Sequence, residues 1–143
     1  GDRGVSGALP VTGFQAIPDL YAAVNAVTTV MVMFKSQATI DAADDIAALE
    51  GVDMVMIGAN DMLADFGLAG HLDHARVKDA YTRTIDAFAK YGKHVGVGGL
   101  ASRPDLVAEF VKMGARYVPT GTDLNFLLAA AREKVAAVAT LET

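Results

Sequence analysis

The sequence 51-GVDMVMIGANDM-62 holds a short apolar strand that ends in glycine and delivers a carboxylate, Asp61, at its C-terminal tip. Residues 54–57 carry no polar side chain, which predicts a parallel strand covered by other elements on both faces. In parallel α/β folds, ligands lie at the carboxyl ends of the strands. The residues just after Ile57 therefore belong to the expected functional rim, and Asp61 is the first candidate for chemistry.

Strand and helix signals alternate on both sides of this stretch. Apolar and β-branched runs predict four strands, which begin near residues 28, 53, 94 and 116. Amphipathic periodicity and glycine stops predict helices over residues 17–26, 37–49, 61–65, 74–91, 103–113 and 123–138. Residues 1–13 carry glycine and proline without apolar periodicity and are interpreted as a loop. This alternation specifies parallel strands joined by right-handed crossovers.

The predicted fold class is α/β, built from parallel (β/α) units. Four such units are half of the eight that close a TIM-type (β/α)8 barrel, and an open four-stranded sheet is the alternative. A half-barrel leaves two strand edges unpaired, which favours association with another chain. At 143 residues the chain is expected to form a single domain, residues 1–143.

Composition excludes several classes of function. The net charge is −5 and the basic residues are scattered, so neither nucleic acid nor an anionic membrane is an expected partner. The chain has no cysteine, which excludes disulfides and thiolate sites and fits a cytoplasmic protein. No apolar run is long enough for a membrane span, and no signal peptide is recognisable. The chain begins with Gly1 rather than methionine, which favours a processed product or a piece of something larger.

Several short motifs occur together along the chain. They are GDRG at residues 1–4, EGVD and GANDM within residues 50–62, GKHVGV at 92–97, GARYV at 114–118 and GTDL at 121–124. The combination resembles the HpcH/HpaI aldolase and citrate lyase family, whose members are (β/α)8 barrels that make or break carbon–carbon bonds using pyruvate or a close relative. The resemblance extends from Gly1 to about Val138. It implies the C-terminal half of the barrel, with the fifth to eighth strands.

The resemblance also implies a metal site. Family members hold a divalent metal, typically Mg, Mn or Co, with a glutamate after strand five and an aspartate after strand six, and the metal stabilises the enolate of the keto acid. Asp61 falls on the aspartate position, and the amides of Asn60 and Asp61 match the place of the substrate carboxylate. Lys35 stands where the glutamate is expected, and an ammonium does not ligate a hard cation. The family's catalytic arginine and histidine belong to the missing N-terminal half, so this chain alone is not expected to catalyse the reaction.

Asp61 and Lys35 each have two interpretations. Asp61 is either a metal ligand or a helix N-cap that accepts hydrogen bonds from the next turn. Lys35 either pairs with Asp61, as a substitute for the metal, or forms a Schiff base with a keto acid. The ion pair is favoured, because no second catalytic group is apparent near Lys35 in the sequence.

Other residues are weaker candidates. Gly98 and Gly121 follow the last two predicted strands and are expected to line the pocket, since the corresponding barrel loops often bind anions. His71 and His74 are three residues apart, but their loop and helix-start positions favour capping or solvent over metal. The methionines that lie in predicted strands are expected to fill the core: Met31, Met33, Met54 and Met56.

Two functional hypotheses result. The first is a carbon–carbon lyase of the aldolase type, acting on a 2-keto acid such as pyruvate and an aldehyde, in which this chain works with an N-terminal half-barrel. Its rim comprises Lys35, Asn60, Asp61, Gly98 and Gly121. The second is a non-catalytic structural or binding subunit in which a Lys35–Asp61 pair has replaced the metal. Both predict a homo-oligomer or association with a chain that carries the N-terminal half.

Overall fold

The computed structural model describes Pro10, Gly13 and residues 20–141. The chain divides into two compact units, residues 1–30 and 31–143. In the first unit the described helix is α1 (Leu20–Val27), which buries none of its residues. The predicted loop at residues 1–13, apart from Pro10 and Gly13, and the predicted helix start at residues 17–19 lie outside the described residues.

The second unit alternates parallel strands with helices, as predicted. Its elements are β1 (Met31–Phe34), α2 (Gln37–Asp41), α3 (Ala43–Ala47), β2 (Met54–Gly58), α4 (Ala59–Asp65), α5 (Ala75–Ala89), β3 (His94–Gly98), α6 (Pro104–Met113) and α7 (Asp123–Ala139). The strands form one parallel sheet in the order β1-β2-β3. No helix in the described part of the chain is long and apolar enough to cross a membrane.

The predicted fourth strand is reduced to one bridge. Tyr117 pairs in parallel with Gly96, and two hydrogen bonds support the contact: Val97 N–H donates to the Tyr117 carbonyl and Arg116 N–H to the Val95 carbonyl, each at 2.9 Å. The prediction of four full strands is therefore wrong for the described residues, which contain three. The segment is short because Pro119, which has no N–H to donate, follows it immediately.

Two predicted helix boundaries also differ. The helix predicted over residues 37–49 is interrupted at Ala42, whose φ of −90° and ψ of 11° end α2 and begin α3. The short helix predicted to begin at residue 61 begins at Ala59, directly after β2. The second difference matters for the site, because it moves Asp61 into the body of the first turn.

One face of the sheet packs against the helices and forms the core. Phe34, Val55, Ile57, Val95 and Val97 are all buried on this face. The helices contribute large aromatic side chains, among them the stacked pair Tyr81 and Phe110, with ring centroids 3.8 Å apart, and Phe88, which meets Phe34 edge-on at 5.9 Å. Full burial of such a side chain contributes roughly 1.5–3 kcal/mol to the free energy of unfolding. This packing holds the carboxyl ends of the three strands together.

The opposite face of the sheet is not covered in the same way. It carries four methionines, which we call the methionine face: Met31, Met33, Met54 and Met56. None of the four is fully buried, and Met33 is 43% exposed. Within the residues that the structure describes, the predictions that both faces of β2 are fully covered and that these methionines fill the core are therefore wrong. Burial alternates along β2, where Val55 and Ile57 are buried and Met54 and Met56 are only partly buried.

Candidate active site

Lys35 and Asp61 meet at the carboxyl edge of the sheet. β1 and β2 run parallel with Phe34 opposite Ile57, so the residues that follow the two strands emerge at the same edge. Lys35 Nζ lies 2.9 Å from Asp61 Oδ2, and the two side chains are 57% and 55% exposed. The structure thus confirms the predicted ion pair between residues far apart in the sequence.

Asp61 is not a helix N-cap. The N-cap position of α4 is occupied by Gly58, and Asp61 is the third residue of the helix. The capping interpretation is wrong because α4 starts immediately where β2 ends. Asp61 instead belongs to the first turn of α4, directly beyond the carboxyl end of β2.

Gly58 lies beneath the ion pair. A Cβ at this position would be 3.4 Å from Met33 Sδ, 3.5 Å from Asp61 Oδ2 and 3.6 Å from Lys35 Cγ. The glycine therefore lets the lysine stem and the carboxylate approach each other over the strand end. Gly58 was not among the predicted site residues, although a glycine that closes a buried strand three residues before a carboxylate was a usable signal.

Asn60 joins the ion pair to the end of β3. Its Nδ2 donates a hydrogen bond to the Gly99 carbonyl at 3.4 Å. Gly99 has a φ of +77°, and a Cβ there would be 3.0 Å from Asn60 Nδ2. Glycine is favoured at this position both by the left-handed backbone and by the close approach. Lys35, Asn60 and Asp61 are thereby brought together as expected for a rim.

Gly98 lies opposite Gly58 at the same edge of the sheet, one strand away from the ion pair, whereas Gly121 lines a separate cavity. A Cβ on Gly98 would be 2.7 Å from the Ile57 carbonyl, so this glycine permits the close approach of β2 and β3. Gly121 lines a cavity of about 380 Å³ together with Gly99, Ser102, Thr122 and Asn125, among other residues. Val97 and Val107 also line this cavity, and Val97 belongs to the helix-covered face of the sheet. The cavity is therefore separate from the ion pair. Gly99, which lines the cavity and accepts a hydrogen bond from Asn60, is the residue that connects the two.

Charged groups near the cavity are engaged with each other. Arg103 donates to Asp105 at the start of α6, and this hydrogen bond lowers the pKa of Asp105 to about 2. The charged pair thus stabilises the fold above the ordinary aspartate pKa, and this contribution is lost as the pH falls through about 2. Asp105 and Arg103 neutralise each other, so neither adds net charge to the rim.

His74 has the capping role that was predicted for it. His74 is the N-cap of α5, and its Nδ1 accepts a hydrogen bond from Arg76 N–H at 3.2 Å. Within the part of the chain that the structure describes, no group of three or more His, Asp or Glu side chains is placed to hold a metal ion.

The residues at the rim do not fit a divalent metal. Mg²⁺ and Mn²⁺ require oxygen or nitrogen lone pairs, whereas an ammonium offers three donors and no lone pair. The resemblance assigns the two metal-holding positions of the family to Lys35 and Asp61. In this structure the Lys35 ammonium occupies one of them and pairs with the Asp61 carboxylate at the other. The assignment of Asp61 as a metal ligand stays a prediction from resemblance, which this geometry does not support.

Comparison with known proteins identifies relatives of this chain. The sequence profile of the HpcH/HpaI aldolase/citrate lyase family matches residues 4–130. The chain is 34% identical over 132 residues to hydroxypyruvate/pyruvate aldolase of Delftia acidovorans, covering 92% of this chain and 48% of that protein. It is 32% identical over 133 residues to 5-keto-4-deoxy-D-glucarate aldolase of Enterobacter sp. (strain 638), covering 93% and 51%.

Comparison with solved structures identifies the same family. The crystal structure of a HpcH/HpaI aldolase/citrate lyase family protein from Burkholderia cenocepacia superimposes with a TM-score of 0.74 and 29% identity, over 96% of this chain and 53% of that one. The chain thus spans about half the length of the relatives it matches. The α/β architecture, the matched profile and these likenesses agree, and the chain belongs to the HpcH/HpaI aldolase/citrate lyase family.

Proposed function

We propose that the protein is a carbon–carbon lyase of the aldolase type, which cleaves or forms a bond between a 2-keto acid such as pyruvate and an aldehyde. The present chain supplies one half of the barrel and the rim formed by Lys35, Asn60 and Asp61. Gly98 and Gly121 remain candidates for the lining of a wider pocket. The relatives that carry aldolase names support this reaction class.

One observation carries the proposal. Three polar side chains from two segments, Lys35 after β1 and Asn60 and Asp61 in α4, lie at the carboxyl ends of parallel strands, where ligands bind in this kind of fold. Lys35 and Asp61 are about half exposed, so a small molecule can reach them from solvent.

The chemistry requires positive charge at this rim. When the bond between C3 and C4 of a 4-hydroxy-2-keto acid breaks, the C4 hydroxyl loses its proton and an aldehyde leaves. The bonding electrons move onto the keto acid as an enolate, which then takes a proton at C3. A fixed cation beside the enolate oxygen lowers the cost of its developing charge. Lys35 is the cation that this chain places at the rim, and the groups that move the proton are expected in the other half of the barrel.

An aldol assay with the Asp61→Asn variant tests the proposal. The protein is assayed together with its N-terminal half-barrel, with pyruvate and a short aldehyde, with and without chelator. Wild type is expected to turn over, and Asp61→Asn to be about 100-fold slower, because Lys35 loses the carboxylate that positions it.

Asp44→Asn is the matched control. Asp44 forms a comparably exposed ion pair with Lys90, away from the rim. The control is expected to keep the wild-type rate. Equal rates for wild type and Asp61→Asn would contradict the proposed site.

The second candidate function is a non-catalytic binding or structural subunit of the same family. The observation that favours it is the ion pair itself, since Lys35 and Asp61 satisfy each other without a ligand. In that case wild type is folded but shows no turnover in any arm of the assay above, while a relative with the glutamate in place of Lys35 does.

We also propose that the chain works in an assembly, either as a homo-oligomer or with a chain that carries the N-terminal half-barrel. The length of its relatives and the half-exposed methionine face support this. A cytoplasmic location is the accompanying expectation from the lack of cysteine.

A further inference from the structure

We propose that Lys35 takes the place of the divalent metal at this rim, and that its ammonium binds the carboxylate and keto oxygens of a 2-keto acid without any metal ion. The inference rests on the function proposed above and concerns the ligand chemistry of the same site. Its starting point is the disagreement between the family's metal site and the residues present here.

The net charge of the site supports the replacement of the metal by Lys35. In a site with one glutamate, one aspartate and a divalent ion, the glutamate and the ion together contribute one net positive charge beside the aspartate. Lys35 contributes the same single positive charge beside Asp61. A keto acid that approaches the rim therefore meets the same net charge, although the cation is now covalently part of the chain.

The geometry leaves the ammonium free to bind a ligand. Lys35 Nζ contacts Asp61 Oδ2 at 2.9 Å, and within the described residues this is its one ion-pair partner. An ammonium has three N–H donors, so two remain for oxygens of a ligand. The side chain is 57% exposed, and its stem rests over Gly58, which directs the charged end toward the rim.

The planar pair of oxygens in a 2-keto acid suits such a donor set. One N–H can reach the carboxylate while another reaches the keto oxygen, on which the enolate charge later develops. Charge-assisted hydrogen bonds of this kind are the strong ones in proteins. Schiff-base formation by Lys35 would instead require the neutral amine, whereas here the ammonium is held by a carboxylate.

Pyruvate binding in the presence of chelator tests the inference. Binding of pyruvate to the full protein is measured by ligand-observed NMR in excess EDTA and again with added Mg²⁺. The expected dissociation constant differs by less than about twofold between the two conditions. Lys35→Met is expected to weaken binding about tenfold, the size of a lost charged hydrogen bond, and Lys35→Arg to restore part of it.

Lys90→Met is the matched control, because Lys90 forms a similarly exposed ion pair with Asp44. It is expected to bind pyruvate as wild type does. Should Lys35→Met fail to unfold cooperatively, Lys35→Gln removes the same charge with a polar side chain and takes its place in the comparison.

Direct metal binding gives a second readout that is independent of pyruvate. Mn²⁺ binding is followed by electron paramagnetic resonance. Wild type is expected to bind no Mn²⁺ at the rim, whereas Lys35→Glu is expected to bind it through two carboxylates and to lose it again in the double variant with Asp61→Asn.

The failures are distinguishable. Pyruvate binding that appears only with Mg²⁺, or Mn²⁺ binding by wild type that disappears in Asp61→Asn, would overturn the inference and leave the keto-acid function standing. Absence of pyruvate binding by wild type in every condition would overturn the keto-acid function and the inference together.

Discussion

The environment of Gly98 shows how closely the ends of β2 and β3 are packed. A Cβ at this position would lie 2.7 Å from the carbonyl oxygen of Ile57, and a backbone oxygen cannot swing aside. We predict that Gly98→Ala lowers the free energy of unfolding by about 1–3 kcal/mol, as overpacking usually does. Urea denaturation measures the effect.

Gly51→Ala is the control for this prediction. Gly51 is exposed, and a Cβ there would meet nothing within 4 Å. Its unfolding free energy is expected to stay within about 0.5 kcal/mol of wild type. An equally stable Gly98→Ala protein would mean that β2 and β3 separate more easily than their packing indicates.

Tyr81 is a second residue whose environment makes a measurable prediction. Burial raises its pKa above the ordinary value, although the backbone of Gly98 opposes part of the shift. The hydroxyl is buried with no hydrogen bond of normal geometry among the described residues. The folded state therefore keeps the phenol neutral at a pH where the unfolded chain ionises it.

The sign of the pH dependence follows from the two states. Above the unfolded pKa of about 10, the unfolded chain binds fewer protons than the folded one, so stability falls as the pH rises, by up to about 1.4 kcal/mol per pH unit. We predict that Tyr81→Phe makes this alkaline loss smaller and does not lower stability at neutral pH. Urea titrations on both sides of pH 10 measure the slope, and an unchanged slope would contradict the assignment.

Helix α5 begins with an unusual N-cap residue. Histidine is not among the preferred N-cap residues, yet Nδ1 of the His74 imidazole accepts a hydrogen bond from the backbone N–H of Arg76. We predict that His74→Ala destabilises the protein by about 1 kcal/mol, because one amide of the first turn loses its partner. Thermal unfolding of His74→Ala is compared with that of His71→Ala, which alters the preceding loop and is expected to behave as wild type. Equal melting temperatures for both variants and wild type would show that water replaces the cap without loss.

The elements were predictable to the extent that local sequence determines them. The apolar runs that became β1, β2 and β3, and the amphipathic periods that became α5, α6 and α7, are properties of short windows. The meeting of Lys35 and Asp61 was also predictable, since parallel strands bring their ends to one edge.

What could not be predicted depends on neighbours that are distant in the sequence. The segment at 116–118 has strand character, but its pairing depends on how much of β3 it can follow before Pro119. The methionine face has the composition of a buried strand, yet its burial depends on what covers it. The cavity beside Gly121 lies between α6, α7 and β3, so no local sequence pattern predicts it.

The second unit exposes apolar side chains on helix α7 and on one face of the sheet. Helix α7 buries none of its residues, and its exposed apolar side chains include Leu124, Phe126, Leu127, Val135 and Val138. On the sheet, the methionine face is left half-exposed. Apolar patches of this kind in soluble proteins mark contacts with other chains or segments.

Association is therefore the prediction for the whole molecule. Sedimentation equilibrium of the purified 143-residue chain is expected to give a mass above the 14.9 kDa of one copy. Met31→Asp places a charge on the methionine face, away from Lys35, and is expected to shift the equilibrium toward the single chain. Leu49→Asp, at an exposed apolar position outside that face, is expected to leave it unchanged. A stable monomer of the wild-type chain with cooperative unfolding would contradict the prediction, because the half-covered sheet would then need no partner.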